Sequence, residues 1–154
     1  SYIRIFAYLA ERNPKARLLL IGEGPNREAC IQKAKELGLS EQVVFISHTD
    51  QPEDYYSAMD VLVMPSLFEG LPLVGVEAQA NGLRCVFSDQ ITRETDLTGK
   101  NRFIPLEQDD TVWAETILGL PQESPEERKK AADIVRAKGY DQEKLKEQVL
   151  KLYE

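Results

Sequence analysis

The chain predicts an α/β fold: a parallel sheet covered by helices on both faces, followed by further helices. Three observations carry this. Leu18-Leu19-Leu20-Ile21, Val43-Val44-Phe45-Ile46 and Val61-Leu62-Val63-Met64 are short, continuous apolar runs. Runs of that length without polar alternation suit strands buried on both faces. They alternate with segments of helical periodicity, the pattern of strand–helix–strand units. From Asp109 onward the periodicity is helical throughout.

Taken in order, Tyr2 to Arg12 has apolar residues at 2, 3, 5, 6, 9 and 10, and Asn13-Pro14 ends this helix. Arg17–Ile21 is a strand bounded by Gly22. Glu28–Leu37 is a helix closed by Gly38, the residue type that accepts the left-handed conformation past a helix end. Val43–Ile46 is the second strand, Pro52–Met59 a helix, and Val61–Met64 the third strand, ended by Pro65. Leu73–Asn81 is a helix of small and apolar residues stopped by Gly82. Arg84–Phe87 and the short Arg102–Ile104 complete the strands. Helices follow over Thr111–Leu120, Ser124–Lys138 and Asp141–Tyr153. Ser124-Pro125-Glu126-Glu127 supplies a capping hydroxyl, proline at the first helical position and acids in the first turn.

With 154 residues, 42% apolar and 29% charged, residues 1–154 are expected to form one domain with a real core. The net charge of −7 argues against nucleic acid as the main partner. No apolar run reaches the roughly 20 residues that span a bilayer, and no charged-then-apolar leader is present. Cys30 and Cys85 lie far apart without metal-ligand spacing, which suits two reduced thiols and a cytoplasmic setting.

Residues 66 to 77, Ser-Leu-Phe-Glu-Gly-Leu-Pro-Leu-Val-Gly-Val-Glu, are the most informative stretch. Glu69 falls in a tight strand-to-helix turn, and Glu77 one or two turns into the helix. Gly70-Leu71-Pro72 leads into Leu73 at the helix start, where the first amides lack partners and the helix dipole is positive. Such a start attracts anions. Glu77 stands among Val74, Val76, Ala78 and Ala80, so its carboxylate needs a partner. Amides for phosphate and carboxylates for hydroxyls together suggest a nucleotide-sugar site.

Glu69 and Glu77 are separated by seven residues within Pro-Ser-x-x-Glu-Gly-Leu-Pro-Leu-x-x-x-Glu. This resembles the E-x7-E signature of the retaining group 1 (family 4) glycosyltransferases. The resemblance runs on through Leu18–Pro25, Gln42–Ile46, Tyr55–Ser66 and Glu77–Asp89. It implies a three-layer Rossmann-like parallel sheet with C-terminal helices, one half of a two-domain GT-B fold. By this resemblance the chain is the C-terminal, donor-binding domain of a larger enzyme, from the capsular and exopolysaccharide branch. The parent enzyme would move a hexose from a nucleoside diphosphate sugar, UDP or GDP type, to a growing cell-surface glycan with retention. The resemblance assigns Glu77 to the ribose hydroxyls and Glu69, the catalytic candidate, to contact with the sugar at the reacting end. It assigns the Gly70, Leu71 and Leu73 amides, in the turn through Pro72, to sugar hydroxyl and phosphate.

The same resemblance implies no metal and no bound cofactor, because the helix N-terminus and basic side chains neutralise the leaving diphosphate. The leaving phosphate then draws the acceptor proton on one face of the sugar. The acceptor, a glycan or a lipid-linked sugar, would bind an N-terminal domain that these residues do not contain. Full-length enzyme could contact the cytoplasmic face of the membrane peripherally. The family's domain opens with a central strand, and this chain starts directly in its first helix. Leu18–Ile21 and Val61–Met64 are therefore expected not to pair directly, the missing strand being supplied by residues before Ser1.

Two more residues lie at the strand ends where ligands of such sheets bind. His48, the only histidine, follows Val43–Ile46, and Gly22 follows Leu18–Ile21. Both are substrate-binding candidates, His48 for the base and Gly22 as cleft lining. Gly22-Glu23-Gly24-Pro25 also reads simply as a turn needing positive φ. After Asp89 the family's Gly-Gly turn is replaced by Gln90-Ile91-Thr92-Arg93-Glu94-Thr95, which leaves the sugar undetermined. The charge run Glu126–Lys130 reads as a solvated helix face. The alternative function is a non-catalytic nucleotide-sugar binding module. A signalling receiver domain ranks last, because Asp60 precedes its strand instead of ending it.

Overall fold

A computed structural model describes residues 1–67 and 71–153, the side chain of Tyr153 excepted. The elements are α1 (Tyr2–Arg12), β1 (Leu18–Ile21), α2 (Arg27–Glu36), β2 (Val43–Ile46), α3 (Pro52–Ala58), β3 (Val61–Met64), α4 (Leu73–Ala80), β4 (Arg84–Ser88), β5 (Arg102–Ile104), α5 (Asp110–Leu118), α6 (Pro125–Ala137) and α7 (Gln142–Tyr153). All strand pairs are parallel, as continuous apolar strands between helices require. Helix and strand limits move by a residue or two from the sequence expectation, most at α5. Two compact units emerge, one from residues 1–49 and 109–120, the other from residues 50–108 and 121–152.

In the first unit β1 pairs with β2, Leu18 opposite Val43 and Ile21 opposite Ile46. Ile3, Phe6 and Ala10 from α1 bury against Ala34, Leu39 and Val43. These α1 residues are the apolar stripe at helical spacing. Its other neighbour is α5, tied by an ion pair between Arg12 and Glu115. Gly38 adopts φ +69° and closes α2. Its amide donates to Lys35 O and that of Leu39 to Ala34 O, which satisfies two carbonyls at the helix end.

In the second unit the strand order is β3-β4-β5, with Leu62 opposite Cys85 and Phe87 opposite Phe103. The central β4 is buried from Cys85 to Ser88, whereas β3 is half-buried along its length. In the first unit β1 is likewise only half-buried. Among the described residues each of β1 and β3 has one hydrogen-bonded strand neighbour. The sequence pattern alone, which suggested full burial, does not distinguish edge from centre.

Helix α4 is buried at Gly75, Val76, Glu77, Ala78, Gln79 and Ala80. Val76 and Ala80 pack with Leu97, Val135 of α6 and Leu145 of α7, and Ala78 with Tyr56, Leu83, Cys85, Phe87 and Ile91. A Cβ on Gly75 would come 2.9 Å from the Phe87 ring, so only glycine lets α4 approach β4 this closely. Gln79, fully buried, donates to Gly75 O (3.0 Å) and Thr95 O (2.7 Å). Its Oε1 accepts from Leu97 N and from Asn101 Nδ2. Asn101 in turn accepts from Cys85 N through Oδ1 and donates to Asp96 Oδ1. The whole amide inventory of Gln79 is used inside the core.

Helix α6 starts as the sequence indicates: Ser124 Oγ accepts from Glu127 N, and Glu127 Oε2 accepts from Ser124 N. The charge run that follows is not all solvated. Arg128 donates to Tyr56 O, Met59 O and Asn81 O, at the carboxyl ends of α3 and α4. Tyr56 O also accepts from Met59 N, and these carbonyls carry the negative end of each dipole, so a guanidinium suits them. Gly82, at φ +80°, sits directly beneath this contact, and a Cβ there would lie 2.4 Å from Arg128 O.

Gly38 and Gly82 therefore separate two costs. Gly38→Ala should lose about 1–2 kcal/mol, the cost of a left-handed alanine. Gly82→Ala should lose at least about 1 kcal/mol more, because the α6 backbone must also shift. Urea denaturation of the two variants checks this, and equal losses would contradict it.

Candidate functional site

The entry to α4 is built from strand β3, Pro65, and the turn that follows. Phe68, Glu69 and Gly70 lie outside the described residues, so the catalytic role expected of Glu69 and the amide expected of Gly70 carry no structural description. Leu71 is exposed, Pro72 is buried, and Leu73 is half-buried. Pro72 occupies the N-cap position with extended backbone and cannot cap through a side-chain acceptor. The first helical bond is Val76 N to Pro72 O. The amides of Leu73, Val74 and Gly75 precede it, and the N-cap residue Pro72 makes no side-chain cap. This leaves the positive end of the helix dipole available to an anion.

Glu77 is the fifth residue of α4 and is 2% exposed. Its Oε2 has no hydrogen-bond partner among the described residues. Burial pushes its carboxyl up to about 7, the nearby Glu53 carboxylate adds to this, and Lys146 opposes it. An ionised oxygen held away from water without donors is costly. Here that cost sits on the same helix whose other buried polar residue, Gln79, is fully matched. Such an oxygen suits donors brought by a ligand.

The matching family model is described as "Glycosyl transferases group 1" and covers residues 2–123. The chain belongs to the group 1 glycosyltransferases. EpsF of Bacillus subtilis (strain 168), named as a glycosyltransferase, is 34% identical over 152 residues, covering 98% of this chain and 40% of EpsF. This group 1 chain thus spans well under half the length of that relative. Among solved structures, S. aureus TarM, crystallised with UDP, superposes with a TM-score of 0.76 at 20% identity, over 99% of this chain and 32% of TarM. WaaG, a glycosyltransferase of lipopolysaccharide biosynthesis, superposes at 0.73 with 22% identity, over 99% of this chain and 42% of WaaG. At these identities the structures establish the fold, a Rossmann-like α/β arrangement seen in GT-B glycosyltransferases.

Within this group 1 fold the expected site residues fall into two sets. Leu71, Pro72, Leu73 and Glu77 come together at and just inside the start of α4 in the second unit. Gly22 and His48 come together in the first unit, one residue past β1 and two past β2, at the carboxyl end of that parallel pair. Gly22 has φ +128° and its amide donates to Ile46 O, so its positive φ ends the ladder as the turn reading required. His48 is exposed. No helix among the described residues is long and apolar enough to cross a membrane.

Sequence reasoning missed Glu53 and Lys146. Lys146 Nζ on α7 donates to Glu53 Oε1 at 2.5 Å, at the first turn of α3. Both bear on the Glu77 charge. Their only sequence signals were an acid in a first turn and a lysine in an ordinary charged helix. A groove of about 420 Å³ at the α6–α7 turn, lined by Arg136 and Tyr140, contains none of the expected site residues.

The Glu77 carboxyl also sets a pH dependence. Its folded-state value of about 7 lies above the ordinary 4.5. Its contribution to stability is thus fully present below pH 4.5 and lost as pH rises through 7, on the order of 3 kcal/mol. Glu77→Gln should therefore melt higher than the parent at pH 8 and about equal at pH 4.5. Thermal unfolding at both pH values measures it; a lower melting point at pH 8 would contradict the buried charge.

Proposed function

We propose that this chain is the C-terminal, donor-binding domain of a retaining family 4 glycosyltransferase. The full-length enzyme transfers a hexose from a nucleoside diphosphate sugar, UDP or GDP type, to a cell-surface glycan or lipid-linked acceptor held by another domain. The observation that carries this reading is the buried Glu77 carboxyl, whose Oε2 has no partner among the described residues, on a helix whose N-cap residue, Pro72, supplies no side-chain cap. One end of α4 offers amides and a positive dipole to the diphosphate; the fifth residue offers an acceptor to the vicinal ribose hydroxyls. These two ligand features are linked in a nucleoside diphosphate, and few other ligands combine them.

Glu69, which precedes α4 in the sequence, faces the sugar end in this reading, and Gly70 adds an amide there. The uncapped helix offsets part of the charge that develops on the leaving diphosphate, a stabilisation that needs no reorganisation during the reaction. Gly22 and His48, at the carboxyl end of the first unit's strand pair, are further substrate-binding candidates in this reading, His48 for the base. The enzyme works in the cytoplasm, with peripheral contact to the membrane where its acceptor is lipid-linked. The UDP in the TarM crystal and the lipopolysaccharide role of WaaG support the donor class and the cell-surface setting.

Isothermal calorimetry with UDP and GDP tests the reading. Glu77→Gln should weaken nucleoside diphosphate binding by about 1–3 kcal/mol, the scale of charge-assisted hydrogen bonds. Unchanged affinity in a variant that melts normally would remove Glu77 from the site. Glu69→Ala should leave the affinity for free nucleotide nearly intact and reduce that for the intact sugar nucleotide. Equal loss for both ligands would show that Glu69 does not face the sugar.

A further inference from the structure

Arg27 opens α2 at the carboxyl edge of the β1–β2 pair in the first unit. Gly22-Glu23-Gly24-Pro25-Asn26 leads from β1 into it, and the Arg27 amide donates to Gly24 O. Its guanidinium lies over the ring of Phe45, 5.9 Å from Cζ to the ring centroid. Phe45 is the third residue of β2, opposite Leu20, and His48 follows that strand by two residues. Gly22, Arg27, Phe45 and His48 therefore belong to one edge of one parallel pair, the edge where ligands of such sheets bind.

The position of Arg27 runs against local preference. A cation at the first position of a helix opposes the positive end of the dipole. Stacking holds it there, because a ring face attracts a guanidinium and fixes its plane. Its Nε is buried and has no hydrogen-bond partner among the described residues. Glu28, the next residue, accepts from Gln32 Nε2 instead. Elsewhere in the chain Arg12, Arg84 and Arg136 pair with carboxylates, and Arg17 and Arg128 donate to carbonyls. Arg93 also stacks, over Phe103, but it is exposed. A buried donor without an acceptor costs its desolvation. A stacked, planar fork of donors fits the edge of a planar ligand that carries oxygens.

In the nucleotide-sugar reading the start of α4 takes the diphosphate and Glu77 the ribose, so the base is the part left with in-plane acceptors. Bases divide there. Guanine and uracil carry an exocyclic oxygen where adenine and cytosine carry an exocyclic amine. A guanidinium only donates. It meets the oxygen with a hydrogen bond and the amine with two donors facing each other.

We propose that Arg27 is a specificity-determining residue of the nucleotide site: its guanidinium, oriented by Phe45, selects a base with an exocyclic carbonyl over one with an exocyclic amine. This rests on the nucleotide-sugar reading and deepens it. It supplies a chemical reason, on this chain's own residues, for a uridine or guanosine donor and against a cytidine or adenosine donor.

The experiment is a calorimetric titration of the protein with two pairs of nucleotides, UDP against CDP and GDP against ADP. Within the first pair the ribose and diphosphate are the same, and the exocyclic group changes from oxo to amino. In whichever pair binds, the oxo base should bind roughly tenfold more tightly. Arg27→Gln presents an amide that both donates and accepts, so the ratio should fall to about one. Arg27→Lys, again a donor only, should keep the oxo base ahead. Glu77→Gln should weaken both members of a pair alike and leave the ratio unchanged.

Equal affinity for the two bases in the parent protein overturns the proposal. So does a parental ratio in Arg27→Gln, or an equal loss for both bases there, the mark of a phosphate contact or a structural one. If Arg27→Gln does not fold, Arg27→Met takes its place with the same expected ratio. Failure of the nucleotide-sugar reading is distinguishable. There no diphosphate binds, or Glu77→Gln leaves every affinity unchanged, and the proposal falls with the reading. An unaltered base ratio with intact binding removes the proposal alone.

Discussion

Burying a whole helix beside a parallel sheet is the constraint on which the second unit depends. Six of the eight residues of α4 are buried, so hardly any of its polar groups can turn to water. The side-chain amide of Gln79 meets that demand with four internal hydrogen bonds. It fastens α4 to the segment carrying Thr95 and Leu97, and through Asn101 to the amide of Cys85 on β4. A half-matched amide there would be worse than an apolar residue, because each unpaired buried group costs its full desolvation. The small residues of α4 do the complementary work. Gly75 admits the Phe87 ring, and Gly82 admits the α6 backbone with its Arg128 guanidinium over the helix ends.

Glu77 breaks the rule that Gln79 obeys, two residues away on the same helix. Its carboxyl is as buried as the amide, yet one oxygen is unmatched among the described residues. Local conflicts of this kind concentrate where a protein binds or reacts, because a ligand completes what the free protein leaves open. The unit divides its charges accordingly. Arg128 is spent on helix carbonyls and Glu123 on Arg84 and Lys100. The Glu53–Lys146 pair, by contrast, bears on the carboxylate of the candidate site.

Much of this was readable one residue at a time. The capping box at Ser124–Glu127, the glycine stops at Gly38 and Gly82, and the apolar strands follow from local propensities, and each appears at or within two residues of its expected place. Glu77 was also readable, as an acid on an otherwise apolar helix. The half-burial of β1 and β3 was not, because edge and centre share one apolar pattern. Arg128 was misread as solvated, since a charge run looks the same whether a guanidinium meets water or the carbonyls of another helix.

The sequence by itself determined the strand–helix alternation, the family and the position of the acid on α4, because these depend on periodicity, spacing and residue type within a few turns. Only the tertiary structure decided that Glu77 is buried with its Oε2 unmatched among the described residues, and that Lys146 reaches Glu53. Those facts depend on which side chains meet after α3, α4 and α7 pack, across 93 residues in the case of Lys146 and Glu53. Electrostatic coupling between carboxylates acts through space and is governed by burial, and neither distance nor burial is written in the spacing of residues along the chain.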